Sequence, residues 1–568
     1  MPTSTAQCYE WPESAVAFNQ VRNFALNEKS FLTVFTLYPS HIDAKVVLLQ
    51  SPSKTIMTEP RNLIVFIRLK RRNLTSMVMV LLTFALLGTL GCSPKADRPI
   101  RQAHDRPNII IIMVDDMGFA GPSIAPYGNP HYQTPGMDQL AREGLRFSDF
   151  HSSGPVCSPT RAGLLTGRYQ QRVGVEAVIH PLPGHPEHLK GLHKSEVTFA
   201  ELFKSEGYST GIVGKWHLGY PEETPEYHPE NHGFDYFRGY HSGNIDYINH
   251  WGDHYEHDWW HGKKETEEEG YTTHLINKYA LEFIDQNKDK PFCLYVAHES
   301  PHSPVQGPND PIQRGPGMAT RITSHEEAMK QMILEMDNGV AQIHDKIIEL
   351  GLHKNTFILF FSDNGHAPGT ATGSPRYRDH KGSVYEGGHR VPAIAWWPGK
   401  IAPDEQTDAL GISIDVMPTI LSIAGIEKPK DRPLDGVDLS SAIFDQKPLP
   451  QRPLYWGYLS NNGVRSEAMR DGPWKLVVLH PDAPEGTYEN EKVELYRLDR
   501  DPGEETDLAA REPEQTAKML EQLKSWLADT KRTQTPQPGG WVESGMTAEE
   551  SNALFREFRE ARQNSYSE

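Results

Sequence analysis

Four short apolar stretches constrain this chain more than any other feature: residues 109–114 (IIIIMV), 210–213 (TGIV), 292–297 (FCLYVA) and 357–361 (FILFF). Each is too short for a buried helix, and none alternates polar with apolar residues as a strand with one wet face does. They are expected as strands covered on both faces. Amphipathic segments between them predict helices over 136–143, 196–206, 274–286 and 324–350. Strands alternating with helices give βαβ units, hence an α/β fold whose mostly parallel central sheet is sandwiched by helices. The pattern runs over 105–426. From 427 to 545 it changes to Pro- and Asp-rich connections, short strands at 474–479 and 494–498, and a helix at 513–531, expected as a smaller C-terminal α+β subdomain. Residues 546–568 read as a polar tail.

The polar residues just past each strand carry the chemistry. Asp115 and Asp116 come after the first, Lys215 and His217 after the second, His298 and His302 after the third, and Asp363 and Asn364 after the fourth. Ligand crevices in open α/β sheets lie at the carboxyl ends of the strands, so these groups are expected at one mouth. Asp115, Asp116, Asp363 and Asn364 offer hard oxygen donors from two strand ends, which suits Ca2+ or Mg2+ better than Zn2+. The plainer alternative is that Asp-Asp and Asp-Asn-Gly cap helices or turn the chain.

Composition narrows the class of protein. With 568 residues, 37% apolar and 23% charged, the chain is long enough for a large core and unlike disordered, collagen-like or multi-span membrane sequences. A net charge of −18 disfavours a nucleic-acid partner, because phosphate binding needs a basic face. Four cysteines, Cys8, Cys92, Cys157 and Cys293, are too few for a disulfide scaffold, and Cys293 inside an apolar run reads as a core residue.

The N-terminal region carries an address. Residues 77–91 (MVMVLLTFALLGTLG) form an uncharged run behind the basic cluster Arg68, Lys70, Arg71 and Arg72. The run is shorter than the ~20 residues a helix needs to span a bilayer and has the layout of a secretion signal. Gly91-Cys92-Ser93 resembles the end of a bacterial lipoprotein signal, which would lipidate Cys92. A plain signal peptide or an N-terminal anchor is the alternative. Export signals are read at the extreme N-terminus, so residues 1–68 are expected to be an upstream extension from a misplaced start and 69–92 the signal. The exported protein would be periplasmic, an outer-membrane lipoprotein or secreted.

The most specific stretch is residues 157–168, CSPTRAGLLTGR. It resembles the signature of type I sulfatases, Cys-x-Pro-x-Arg with Leu-Thr-Gly behind it, in which the cysteine is oxidised to formylglycine. PNIIIIMVDDMG, TPGMDQLAREGLRF, GIVGKWHLG, SPHSP, FSDNG, KGSVYEGGHRVP and ELYRLDRDPGEETDLA resemble the family's other blocks, in the family's order. The resemblance implies the alkaline-phosphatase-like fold and a formylglycine made from Cys157 by a formylglycine-generating or anaerobic sulfatase-maturing enzyme. It also implies one Ca2+ shared by Asp115, Asp116, Cys157, Asp363 and Asn364. Lys215, His217 and Arg161 would hold, deprotonate and orient the formylglycine hydrate, while His302 and Lys381 would bind the sulfate and protonate the leaving alcohol. His380 stands where the family often has glycine.

The implied activity is hydrolysis of a sulfate ester, with a sulfated carbohydrate as the expected partner. A phosphodiester or phosphonate monoester hydrolase using the same modified cysteine is the alternative, as is a sulfoglycan-binding protein without catalysis if Cys157 stays a thiol. Residues 225–261 are rich in His, Tyr and Trp, with Trp259 and Trp260 at their end. They read equally as a wall that recognises sugar or as a surface-capping loop.

Overall fold

The computed structural model describes residues 106–119, 132–368, 376–461, 463–480, 491–540 and 544–565, and the backbone of four strands nearer the N-terminus. The chain divides into two compact units, Met1–Ile100 and Arg101–Glu568. In the first, Phe18–Asn27, Ser30–Leu37, Ala44–Gln50 and Phe66–Leu69 form an antiparallel sheet in sequence order. The expected signal at 77–91 and Cys92 lie outside the described residues. Among the described residues, no helix is long and apolar enough to cross a membrane.

The second unit is built on a ten-stranded sheet. At its centre Ser209–Lys215, Phe292–Ala297, Asn108–Val114 and Thr356–Ser362 lie side by side and parallel, and Tyr236–Tyr240 continues the parallel run at one side. Ala393–Trp396 pairs antiparallel on the other side. The four apolar runs are thus the four central strands. Their continuity has a direct cause. Ile109, Ile111 and Met113 enter one core, while Ile110, Ile112 and Val114 enter the core on the opposite face, and all six are fully buried. Helices Cys157–Thr166, Phe199–Ser205 and Val416–Ala424 cover the first face. Pro135–Arg142, Thr272–Asn287 and His325–Glu349 cover the second.

Two boundaries differ from expectation. The helix expected from 196 begins at Phe199, because Thr198 caps it: its hydroxyl accepts the Glu201 N–H at 3.1 Å and its own N–H donates to the Glu201 carboxylate at 2.9 Å. Glu196 is instead buried against Arg168 at 2.7 Å. The polar tail expected at 546–568 contains a helix, Ala548–Ser565, whose Ser551 is buried and whose Leu554 and Phe558 are half-buried.

The C-terminal subdomain is an antiparallel meander, Leu454–Leu459, Arg465–Asp471, Trp474–Leu479 and Lys492–Arg497. Helix Pro513–Arg532 closes it with Met519, Leu523 and Trp526, the last stacked on Tyr455 at 4.7 Å. A buried charge joins the meander to the chain before Ala393–Trp396: Lys475 Nζ lies 2.9 Å from Glu386 and 3.1 Å from Glu504, with all three side chains excluded from water. Removing the cation strands buried carboxylates, so Lys475→Ala is expected to cost about 3–5 kcal/mol. An unchanged urea-unfolding midpoint in this variant would show that the two layers are held together otherwise.

Candidate active site

The sheet register gathers the polar strand ends. Val114 pairs with Ser362, and Ala297 pairs with both Met113 and Gly214, so the residues beyond them leave the sheet together. Asp116 and His217 turn there with φ of 66° and 52°, a left-handed conformation that side chains other than glycine seldom adopt. Cys157 is the first residue of helix Cys157–Thr166, after an extended Val156, so its sulfur sits at the positive end of the helix dipole.

Arg161, one turn on, is buried and holds the ends together: Nη2 donates to Asp115 at 3.2 Å and to Asp363 at 2.9 Å, while Nη1 donates to the Lys215 carbonyl at 3.1 Å. Lys215 Nζ reaches the same Asp115 oxygen at 2.5 Å. Cys157 Sγ lies 3.6 Å from the Asp115 carboxylate and 3.4 Å from Lys381 Nζ. Lys381 contacts Asp116 at 2.6 Å, His302 approaches Asp116 at 3.7 Å, and Asn364 Nδ2 donates to Asp116 at 2.7 Å. Apart from His298, which is fully buried and does not line the cavity, the residues expected at the site form one constellation, which His217 joins as lining of the same cavity. There His217 Nε2 donates to the Ile179 carbonyl at 3.1 Å, and its buried Nδ1 has no hydrogen-bond partner among the described residues.

Electrostatics in this crevice is strongly biased. Burial works against charge on Asp115, yet Lys215, His302, Arg161 and Lys381 hold its carboxyl well below the usual range. Asp363 goes the other way, pushed well up by burial and by Asp115 and Cys157. Burial and Asp115 raise the Cys157 thiol, but Lys215, Lys381 and His302 outweigh them and bring it down to about 7. Burial and Lys381 disfavour charge on His302, while Asp116 and Asp115 prevail and raise it. Burial, then Lys215, keeps His217 neutral, well below its ordinary value.

Ligand atoms of Asp115, Asp116, Cys157 and His302 lie within 4.8 Å of one another, a geometry that a metal ion can bridge. Asp363 and Asn364 adjoin this set, and Asn364 Oδ1 is buried without a hydrogen-bond partner among the described residues. An acceptor left bare beside gathered carboxylates suits a hard cation.

A cavity of about 370 Å3 opens over Cys157, His217, His302 and Lys381. Asn244, Asp253 and Tyr255 line it from the aromatic-rich stretch, with His180, Asn461 and Phe555 from segments that carry no sequence signal for a site. Of the two readings of 225–261, a sugar-recognising wall made by Trp259 and Trp260 is not found at this cavity. Trp259 is fully buried, its indole N–H donating to Glu268 at 3.1 Å, and Trp260 lines a separate hollow with His228 and His241. Alternation of side chains puts the two rings on opposite faces of the sheet, Trp259 inside one core and Trp260 half-buried against the other. A larger cleft of about 670 Å3 lies elsewhere, and its Arg390, Arg452 and Arg470 are tied to Asp149 and Asp415.

Parallel sheet, strand-end carboxylates and helix-borne cysteine together define a hydrolase of the alkaline phosphatase superfamily. The sulfatase family model matches residues 107–426, and that of the N-sulphoglucosamine sulphohydrolase C-terminal region matches 375–533. The mouse N-acetylgalactosamine-6-sulfatase is 34% identical over 405 residues, 67% of this chain and 73% of its own length. Bovine arylsulfatase A is 32% identical over 474 residues, covering 74% and 88%. Among solved structures, Ps i-CgsB in complex with k-i-k-neocarrahexaose superposes with a TM-score of 0.66 at 26% identity, over 79% of this chain and 99% of that one. The chain belongs to the arylsulfatase-like sulfatases and is a sulfuric ester hydrolase.

The charge pattern at Cys157 is testable in metal-stripped protein that carries the unmodified thiol. Alkylation of Cys157 by iodoacetamide is expected to rise through about pH 7, and in Lys381→Met the rise should move toward the ordinary thiol range. A wild-type profile rising only near the free-cysteine value of about 8.5 would show that the cations do not act on this sulfur.

Proposed function

We propose that this chain hydrolyses sulfate esters on carbohydrate, with formylglycine made from Cys157 by a maturing enzyme as nucleophile and one Ca2+ held by Asp115, Asp116, Asp363, Asn364 and residue 157. The observation that carries the reading is Cys157 at a helix start, 3.4 Å from Lys381 and 3.6 Å from Asp115. Bound there, Ca2+ supplies charge that favours an oxyanion nucleophile and a transferring sulfo group. A hydrated aldehyde has two hydroxyls: one attacks sulfur and displaces the alcohol, and the other then loses its proton, reforms the carbonyl and expels sulfate.

The remaining work falls to side chains. Arg161, fixed by two carboxylates and the Lys215 carbonyl, orients the hydrate with a charge-assisted hydrogen bond. His217, with Nε2–H occupied by Ile179, has Nδ1 left to accept a proton from the hydrate. Lys381 faces the sulfate oxygens as a fixed cation and Lys215, paired to Asp115, holds the hydrate, so charge developing there meets preorganised partners. His302, which lines the cavity 3.7 Å from Asp116, delivers its proton to the departing alcohol.

A carbohydrate substrate is favoured by relatives named for N-acetylgalactosamine-6-sulfate and by the saccharide bound in Ps i-CgsB. The same reading takes 105–426 as the catalytic domain and 427–545 as its C-terminal partner. It takes 69–92 as an export signal ending at a lipid-bearing Cys92, and 1–68 as an upstream extension.

Two results check this. Peptide mass spectrometry of active protein should find an aldehyde at position 157, and full activity with only free thiol there would refute the mechanism. Chelation of Ca2+, or Asp363→Ala, should abolish sulfate release, and chelation should also lower the melting temperature, because the ion stabilises only the folded crevice. Undiminished rate and stability in exhaustively stripped protein would contradict the ligand assignment.

A further inference from the structure

The cavity over Cys157 has a wall that sulfate transfer does not use. Phe555 forms part of it, although it belongs to the last helix of the chain, Ala548–Ser565. Ser551, Leu554, Phe555 and Phe558 recur at helical spacing and make one stripe, while Glu549, Glu550, Asn552, Arg556 and Glu557 are exposed. The stripe docks on the rim of the cavity. Phe555 meets the His180 ring edge-on at 5.8 Å, Phe558 meets Tyr255 at 6.2 Å, and Leu554 lies over Gly184.

Phe558 is half-buried by this docking, but Phe555 stays 38% exposed, facing a cavity that also holds Asn244, Asp253 and Asn461. A ring left partly wet gains only part of the stabilisation of burial, and here it shares the cavity with the polar side chains of Asn244, Asp253, Arg314 and Asn461. That combination suits a pyranose ring, which presents a C–H face to an aromatic and hydroxyls to amide and carboxylate oxygens. Beyond Pro181 the cavity adjoins a hollow lined by Phe558, Glu222, Glu223 and Glu256. Three carboxylates there repel a second anionic group.

Resting on the sulfatase reading, we propose that the C-terminal helix, through Phe555, builds a subsite for an uncharged sugar ring joined to the sulfated residue. The helix thereby makes the chain selective for saccharides over small aryl sulfates. Aryl esters reach Lys381 and His302 without touching this wall, so binding energy from the second ring is available only to saccharides and can position the ester for attack.

The test uses full-length, matured protein and three compounds: an aryl sulfate, a sulfated disaccharide with a neutral neighbouring sugar, and its counterpart with a uronic acid neighbour. In Phe555→Ala the ratio of kcat/KM for the neutral disaccharide to that for the aryl sulfate is expected to fall about tenfold, and Phe555→Trp should restore it. In wild type the uronic acid compound should be the poorer disaccharide. An unchanged ratio in Phe555→Ala, or a uronic acid compound turned over as well as the neutral one, would overturn the subsite. Wild-type protein that releases sulfate from none of the three would instead overturn the sulfatase reading beneath it.

Discussion

The active crevice depends on one buried cation shared by two carboxylates. Arg161 bridges Asp115 and Asp363, which end adjacent parallel strands, at 3.2 and 2.9 Å. Two carboxylates this close and this dry cannot both carry charge without a partner, and Asp363 is already pushed up by burial and by Asp115. Because Arg161 sits one turn after Cys157, the pairing also fixes where the helix meets the sheet, and so sets Cys157 beside Asp115. Lys215, at the end of Ser209–Lys215 one strand further over, completes the clamp by reaching Asp115. Stability and reactivity are thus coupled: the contacts that make the buried carboxylates tolerable are those that aim the nucleophile.

The positive groups act locally. The chain carries −18 overall, so an anionic ester is not drawn in by the field of the whole molecule. What favours it is Lys381 and His302 in the cavity lining, backed by the buried Lys215 and Arg161 beside Asp115, where low dielectric strengthens each interaction. Away from Lys381 and His302 the lining turns to Asn244, Asp253, Arg314, Asn461 and aromatic rings, a mixture of amides and charged groups that can meet hydroxyls. On the proposed reading, sulfate and the group that bears it are recognised by different parts of the chain.

Much of this is legible in the sequence, and for physical reasons. A strand buried on both faces must be apolar without interruption, so IIIIMV and FILFF mark the centre of the sheet, and the polar residues at their ends mark the crevice. Thr198 is harder to read as a helix start, because the capping box competes with the charged residues just before it, and Glu196 is taken up by Arg168 in a distant part of the chain. The cavity walls are the least legible. Asn244, Asp253 and Asn461 belong to irregular segments brought together only by tertiary packing, with no spacing to mark them. Trp260 departs from expectation since aromatic content says nothing about which hollow a ring faces. The stripe Ser551, Leu554, Phe555 and Phe558 has helical spacing within a polar tail, but nothing in that spacing points to its docking site.

The central claim is that residue 157 takes the sulfo group and needs a second hydroxyl to release it. Cys157→Ser supplies one hydroxyl and no second, so it tests that claim directly. Incubated with a sulfated saccharide and digested, this variant should show a single sulfo group retained on residue 157, with no turnover beyond the first. Sustained release of sulfate by the variant, or a sulfo group found on a different residue, would contradict the account.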